Sequence, residues 1–202
     1  MNVWTIPNLV TMTRIAVLPL VVFLLWPGIE NRETTFWAAV AFGLSGATDF
    51  IDGYLARNLK QVSVFGKFLD PLADKLFYLV TMVALLQLPG PRIPFIVVML
   101  VLIRELSITG LRAIASSEGV VIAAGQGGKT KTVFGTVGMI LLILHYEYPI
   151  DFGFATATIN FHRVGLWLTY ISLAYSLTSA FSYIRGFSKA LDEQRSGNAP
   201  AA

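Results

Sequence analysis

The chain has no cysteine and only two histidines among its 202 residues. Disulfides and thiolate metal sites are therefore excluded. Charge is scarce too: Asp, Glu, Lys and Arg make up 13% of the residues, about half the share usual in soluble domains. Internal repeats and any sign of a second domain are also missing. The segment "MNVWTIPN" has no basic n-region and no A-x-A-like site follows it, so the first apolar run is expected to remain as a membrane helix. The net charge of +3, with a pI near 9.3, is too small and too scattered for a nucleic-acid-binding stripe.

What the chain does have is apolar surface. Hydrophobic residues make up 55% of it and the mean hydropathy is +0.67. A soluble fold of this size cannot cover that much, so lipid is the natural solvent. Six apolar segments of spanning length run over roughly 8–27, 34–57, 66–88, 93–116, 129–147 and 164–186, with Pro19 expected to kink the first. Gly and Pro punctuate them at "WPGIEN", "LPGPRIP", "AAGQGGK" and "EYPIDFG". The expected architecture is all-α and polytopic, with one transmembrane domain over 1–188 and a cytoplasmic tail over 189–202, disordered at "RSGNAPAA". With six spans, twelve of the 15 Lys and Arg fall on the side of the termini, and only Arg32, Arg92 and Arg163 on the other. That bias puts both termini in the cytoplasm.

Against this background the stretch "DFIDGYLARNLKQVSVFGKFLDPLADK" stands out. It carries Asp49 and Asp52 near the cytoplasmic end of the second segment and Asp70 and Asp74 near the start of the third. Spacings of three and four put each pair on one helix face. Two antiparallel helices about 8–10 Å apart bring the pairs together. Four ionised carboxylates in low dielectric repel strongly unless protonated or neutralised by cations. Oxygen ligands without Cys or His favour Mg²⁺, Mn²⁺ or Ca²⁺. His145 and His162 belong to the opposite side. Two plainer readings remain: helix caps paired with Lys60, Lys67 and Lys75, or a proton relay or cation transporter. Gly53, Ala56 and Gly66 favour a substrate instead, since they leave helix surface bare for a flat ligand, although small residues also serve close helix packing. Arg57 follows at once, with a fork suited to phosphate.

The order D-x-x-D-G-x-x-A-R, eight residues, then G-x-x-x-D-x-x-x-D resembles the full signature of the CDP-alcohol phosphotransferase family. Asp49, Asp52, Gly53, Ala56, Arg57, Gly66, Asp70 and Asp74 fill its fixed positions. "IPNLVTMTR", "GKFLDPLADK", "IRELSITGLR" and "AAGQGGKTKT" are similar to one bacterial branch, the phosphatidylglycerophosphate synthases. The resemblance implies six transmembrane helices, a homodimer and an active site open to the cytoplasm, in the bacterial cytoplasmic (inner) membrane. It implies that the four aspartates hold two divalent cations, Mg²⁺ or Mn²⁺, with Asp74 also the proposed base. Gly53, Ala56, Arg57 and Gly66 belong to its nucleotide side. The implied reaction joins CDP-diacylglycerol to sn-glycerol 3-phosphate and releases CMP.

The acceptor's phosphate calls for cations. Arg104 and Arg112, eight apart on the fourth segment, and Lys129 and Lys131 beside the Gly-rich start of the fifth are the candidates. Arg14 is a further one, and Asn8 and Thr11 are candidates for the nucleotide side. Ordinary positive-inside charge explains the same cations without a ligand, least well for Arg104, which sits beside Glu105 inside an apolar run. "AAGQGGKTKT" is no P-loop, because Ala123 stands where the first glycine belongs and no strand precedes it. Inositol phosphate or phosphatidylglycerol as acceptor, a metal-dependent prenyltransferase and an ion transporter are the competing functions.

Overall fold

The computed structural model describes residues 6–59, 64–90, 92–118, 127–151, 153 and 156–196; side chains are described for the same residues except 6–10, 49–59, 64–71, 74, 127–130 and 193–195. Among the described residues there are six helices and one hairpin. The helices are α1 (Ile6–Leu24), α2 (Arg32–Leu59), α3 (Val64–Leu86), α4 (Phe95–Ser117), α5 (Gly127–Leu144) and α6 (Phe161–Arg195). Each covers one of the six expected segments. Pro19 lies inside α1, which continues through it.

Two features differ from the sequence expectation. "EYPIDFG" is more than a break: it opens an antiparallel hairpin of β1 (Glu147–Asp151) and β2 (Thr156–Asn160), with Glu147 opposite Asn160 and Asp151 opposite Thr156. Alternation in these strands is weak, because Pro149 interrupts one and alanine and threonine make up most of the other. Second, α6 runs on past 186 to Arg195, so residues 189–195 of the expected tail are helical. Polar side chains on that stretch hid the helix from a hydropathy reading.

Helix starts follow local chemistry. Asn31 Oδ1 accepts the backbone N–H groups of Glu33 (2.8 Å) and Thr34 (3.1 Å), while Thr34 Oγ1 accepts Asn31 N–H at 2.8 Å. This reciprocal cap opens α2, and Glu33 adds negative charge at the positive helix end. Asn160 Oδ1 likewise accepts Arg163 N–H (2.9 Å) at the start of α6, and its amide donates to Glu147 Oε1 (2.9 Å), tying hairpin to helix.

The chain runs up and down, so the 25–31, 87–94 and 145–160 connections gather at one end of the bundle. The dry core lies toward that end: Val21, Leu25, Ala38, Met82, Leu85, Ile93, Val98, Leu142 and Ile143 are all buried there. Hydroxyls survive burial by bonding back along their own helices, as Thr81 does to Phe77 O and Thr35 to Asn31 O, both at 2.8 Å. Outward-facing Phe23, Trp26, Phe36, Trp37, Phe95, Ile96 and Trp167 give the same end an apolar, aromatic exterior. The helix Phe161–Asp192 is long and apolar enough to cross a membrane, and Thr11–Leu24, Lys75–Leu86 and Lys131–Leu144 are shorter apolar stretches among the described residues.

A cap of aromatic and basic residues closes the dry end. The Arg32 guanidinium lies 4.6 Å from the centre of the Tyr148 ring, and Tyr148 packs on Phe161 at 4.7 Å. Beneath it Arg92 is buried, its Nη1 donating to Ile143 O at 3.5 Å. His145 caps α5 with a left-handed backbone, φ 34°. Its ring centre lies 3.9 Å from that of Tyr146.

The closest helix crossing is α5 on α6. A Cβ on Gly165 would lie 2.9 Å from Leu142 N and 3.0 Å from Gly138 O, and one on Gly138 would lie 3.1 Å from Gly165 O. These obstacles are backbone atoms, which cannot rotate away. Gly165→Ala is expected to destabilise the bundle by about 1–3 kcal/mol, read as a lower thermal midpoint in detergent.

Candidate functional site

Polar character is concentrated in the other half of the bundle. A cavity of about 310 Å³ opens between the helices there. Arg14, Lys75, Glu105 and Lys131 bring charge to its wall, Ser45, Tyr78, Thr132, Thr136, Thr169, Ser172 and Ser176 bring hydroxyls, and Phe42, Phe77 and Leu173 bring apolar surface. Gly135 makes room: a Cβ there would lie 2.9 Å from Ser172 Oγ and 3.0 Å from Tyr78 Oη.

Two helices relate this cavity to the aspartates. Only residues 60–63 separate α2 from α3, so the pair runs antiparallel. Phe42 on α2 stacks on Phe77 on α3, with ring centres 5.2 Å apart. Counting seven residues from each toward the linking segment reaches 49 and 70, which places these positions at one height, about 10 Å beyond the stacked rings. The lining positions 42, 45 and 46 of α2 recur at helical spacing as 49, 52, 53 and 56. On α3 the lining positions 77 and 78 recur backwards as 74 and 70. The four Asp positions therefore share helical spacing with the lining residues Phe42, Ser45, Gly46, Phe77 and Tyr78.

The cations are fixed by partners on α4. Glu105 Oε1 accepts Arg104 Nη1 at 2.6 Å and also accepts Lys131 Nζ of α5. Arg104 Nε donates to Ser176 O of α6 at 3.2 Å. Ser172 Oγ donates to Lys131 O at 2.8 Å. One turn along α4, Thr109 takes Lys75 Nζ as a partner and donates its own hydroxyl to Glu105 O at 2.6 Å. Glu105 and Arg104 are largely buried, with 14% and 10% of their side-chain surfaces exposed.

Of the residues singled out from sequence, Arg14 and Lys131 line the cavity. Arg104 stands behind the wall as a tie between α4 and α6. Arg112 is exposed at the far end of α4, its guanidinium 5.8 Å from the centre of the Tyr183 ring. Thr11 is buried one turn before Arg14. The side chains of Asn8, Asp49, Asp52, Gly53, Ala56, Arg57, Gly66, Asp70, Asp74 and Lys129 lie outside the described residues; their backbones belong to α1, α2, α3 and α5. Among the described residues no group of three or more His, Asp or Glu forms a metal site. Sequence reading missed Lys75 and Tyr78 as wall residues, Thr109 as the partner of Lys75, and Glu105 as the hub. A glutamate inside an apolar run was the available signal for the last.

The fold and site define a class: a helical bundle, dry at one end, with a cation-bearing polar chamber beneath two Asp-bearing helix ends. Comparison with known proteins narrows it. The model of the CDP-alcohol phosphatidyltransferase family matches residues 4–178, and the chain belongs to that family. A relative from Bacillus subtilis (strain 168), named CDP-diacylglycerol–glycerol-3-phosphate 3-phosphatidyltransferase, is 31% identical over 205 residues, covering 96% of this chain and 100% of its own length. A relative of the same name from Rickettsia typhi is 31% identical over 180 residues, 89% of this chain and 95% of its own. A cardiolipin synthase (CMP-forming) from Streptomyces coelicolor is 44% identical over 85 residues, 42% of this chain and 40% of its own.

The ties made by Arg104 need its planar fork, which a lysine lacks. Arg104→Lys is expected to cost about 1.5–3 kcal/mol, measured as a fall in thermal midpoint of the detergent-solubilised protein.

Proposed function

We propose that this protein transfers the phosphatidyl group of CDP-diacylglycerol to sn-glycerol 3-phosphate and releases CMP, a step of phospholipid biosynthesis. The observation that carries the reading is the position of the cavity. Three cations, Arg14, Lys75 and Lys131, line it, and Asp49, Asp52, Asp70 and Asp74 continue the helical spacing of its lining residues. A dianionic acceptor and a diphosphate donor need those two environments side by side. Names of relatives that share nearly the whole chain support the same reaction.

The chain is read as six membrane spans, with both termini and the Asp-bearing helix ends at the cytoplasmic face of the bacterial inner membrane, working as a homodimer. Acyl tails then stay in lipid while the diphosphate meets water. The donor set is four carboxylates with no sulfur or imidazole near it in the chain, which fits hard divalent cations. Asp49, Asp52, Asp70 and Asp74 would hold two such ions, Mg²⁺ or Mn²⁺, and when bound these neutralise charge on the diphosphate. Gly53, Ala56 and Gly66 leave helix surface bare for the cytidine side, and Arg57 offers its fork to a phosphate. Lys131, Lys75 and Arg14 hold the phosphate of the acceptor. Its hydroxyl oxygen forms a bond to the lipid-side phosphorus, the phosphorus–oxygen bond to CMP breaks, and Asp74 takes the hydroxyl proton.

A second reading keeps the chemistry and changes the acceptor, to inositol phosphate or phosphatidylglycerol. The 85-residue match to a cardiolipin synthase favours it. An ion transporter ranks lower, because it has no use for the complete family signature.

CMP release by the purified chain in mixed micelles separates these readings. Release is expected to require both glycerol 3-phosphate and Mg²⁺ or Mn²⁺, to stop with a chelator, and to fall by roughly a hundredfold or more in Asp74→Asn. Release with another acceptor only would establish the second reading. Metal-dependent ion flux without nucleotide turnover would overturn both.

A further inference from the structure

We infer that Glu105 and Thr109 of α4 are positioning residues for the acceptor, acting through the two lysines that line the cavity. They stand four residues apart, on one face of α4. Glu105 holds Lys131 of α5, and Thr109 holds Lys75 of α3. The two partners are themselves tied, since the Thr109 hydroxyl donates to Glu105 O at 2.6 Å. One turn of one helix thus sets the places of two ammonium groups that come from different helices, α3 and α5.

A lysine side chain has four rotatable carbons and a compact charge, so its position is decided by what it leans on. Without partners, Lys75 and Lys131 would repel each other and turn away, toward water or toward the aspartates. With them, both point their charge at the same space. Arg104 braces the arrangement from behind: it shares Oε1 of Glu105 with Lys131 and is anchored to Ser176 O of α6. Glu105 also offsets one of the three positive charges that Arg14, Lys75 and Lys131 bring to the wall, which stays net positive and suited to an anion. The ligand chemistry that fits is a small phosphomonoester with a free hydroxyl. Neither residue need touch it.

This inference rests on the preceding reading of the cavity as the acceptor's place. The test uses the full chain in nanodiscs, with Glu105→Gln, Glu105→Asp and Thr109→Val beside the wild type. Two readouts are taken: KM for each substrate from CMP release, and Kd for glycerol 3-phosphate by calorimetry. Glu105→Gln is expected to raise KM and Kd for glycerol 3-phosphate roughly tenfold or more, with KM for CDP-diacylglycerol within about twofold. Thr109→Val should shift the same constants in the same direction by a smaller factor, and Glu105→Asp should recover part of the loss. Thr109 is exposed, so its variant decides the matter even if the Glu105 variants fail to fold. Unchanged acceptor constants, or equal losses for both substrates, would overturn the inference. If the wild type takes a different phosphorylated acceptor, the same split is read for that acceptor, and only the preceding reading fails. If the wild type binds no phosphorylated acceptor, both fail.

Discussion

A single carboxylate oxygen organises the polar half of this molecule. Glu105 Oε1 receives Arg104 from its own helix and Lys131 from α5, and the remaining polar contacts of the wall are arranged around that junction. Burying any one of these charges alone would be costly, and burying them together is tolerable because each supplies the other's partner. The contact also ties several helices to α4. Through Arg104 it reaches α6, through Lys131 it reaches α5, and through Thr109 and Lys75 it reaches α3. A chamber large enough for a substrate weakens any bundle, and here the ion pairs span it.

The opposite half follows a different rule. There the helices meet through aliphatic side chains and through the bare backbone contact of Gly138 with Gly165. That crossing draws α5 and α6 so close that the cavity is displaced away from it, toward the ends where α2 and α3 carry their aspartates. Thr169 bonds back to Gly165 O at 2.8 Å and so lets a hydroxyl sit at the boundary between the two halves without an unmet group. Dry packing at one end and a polar chamber at the other accord with where the small residues fall along α5 and α6.

Much of this was legible in the chain. Long apolar runs broken by Gly and Pro mark helices directly, and all six were found within a few residues at most ends. The spacing of Asp49, Asp52, Asp70 and Asp74 was legible because helical periodicity is local. What depended on distant partners was not. Glu105 and Lys131 are 26 residues apart, and nothing at either position names the other. Arg104 read as a candidate for the acceptor's phosphate because an arginine in an apolar run demands a role, while its tie from α4 to Ser176 O of α6 was not legible. The hairpin escaped because its stability comes from resting on α6 and on Arg32, not from strand-like alternation. The close approach of Gly138 and Gly165 was not legible either, because it depends on two helices meeting.

The division into halves has an electrical consequence. Thr169, at the inner limit of the cavity, lies eight residues along α6 from Phe161, about 12 Å of helix, against roughly 30 Å of hydrocarbon in a bilayer. In an energised membrane, voltage falls across the insulating layer and hardly at all across a water-filled space. The drop would therefore be compressed into the aliphatic seal formed by residues such as Leu85, Ile93 and Leu142. Charges moving within the chamber would stay near the potential of the compartment it opens to, and so avoid work of about 2.3 kcal/mol per elementary charge per 100 mV. On the proposed reading, a bundle sealed at one end would handle its anionic substrates inside a membrane without moving them through its field.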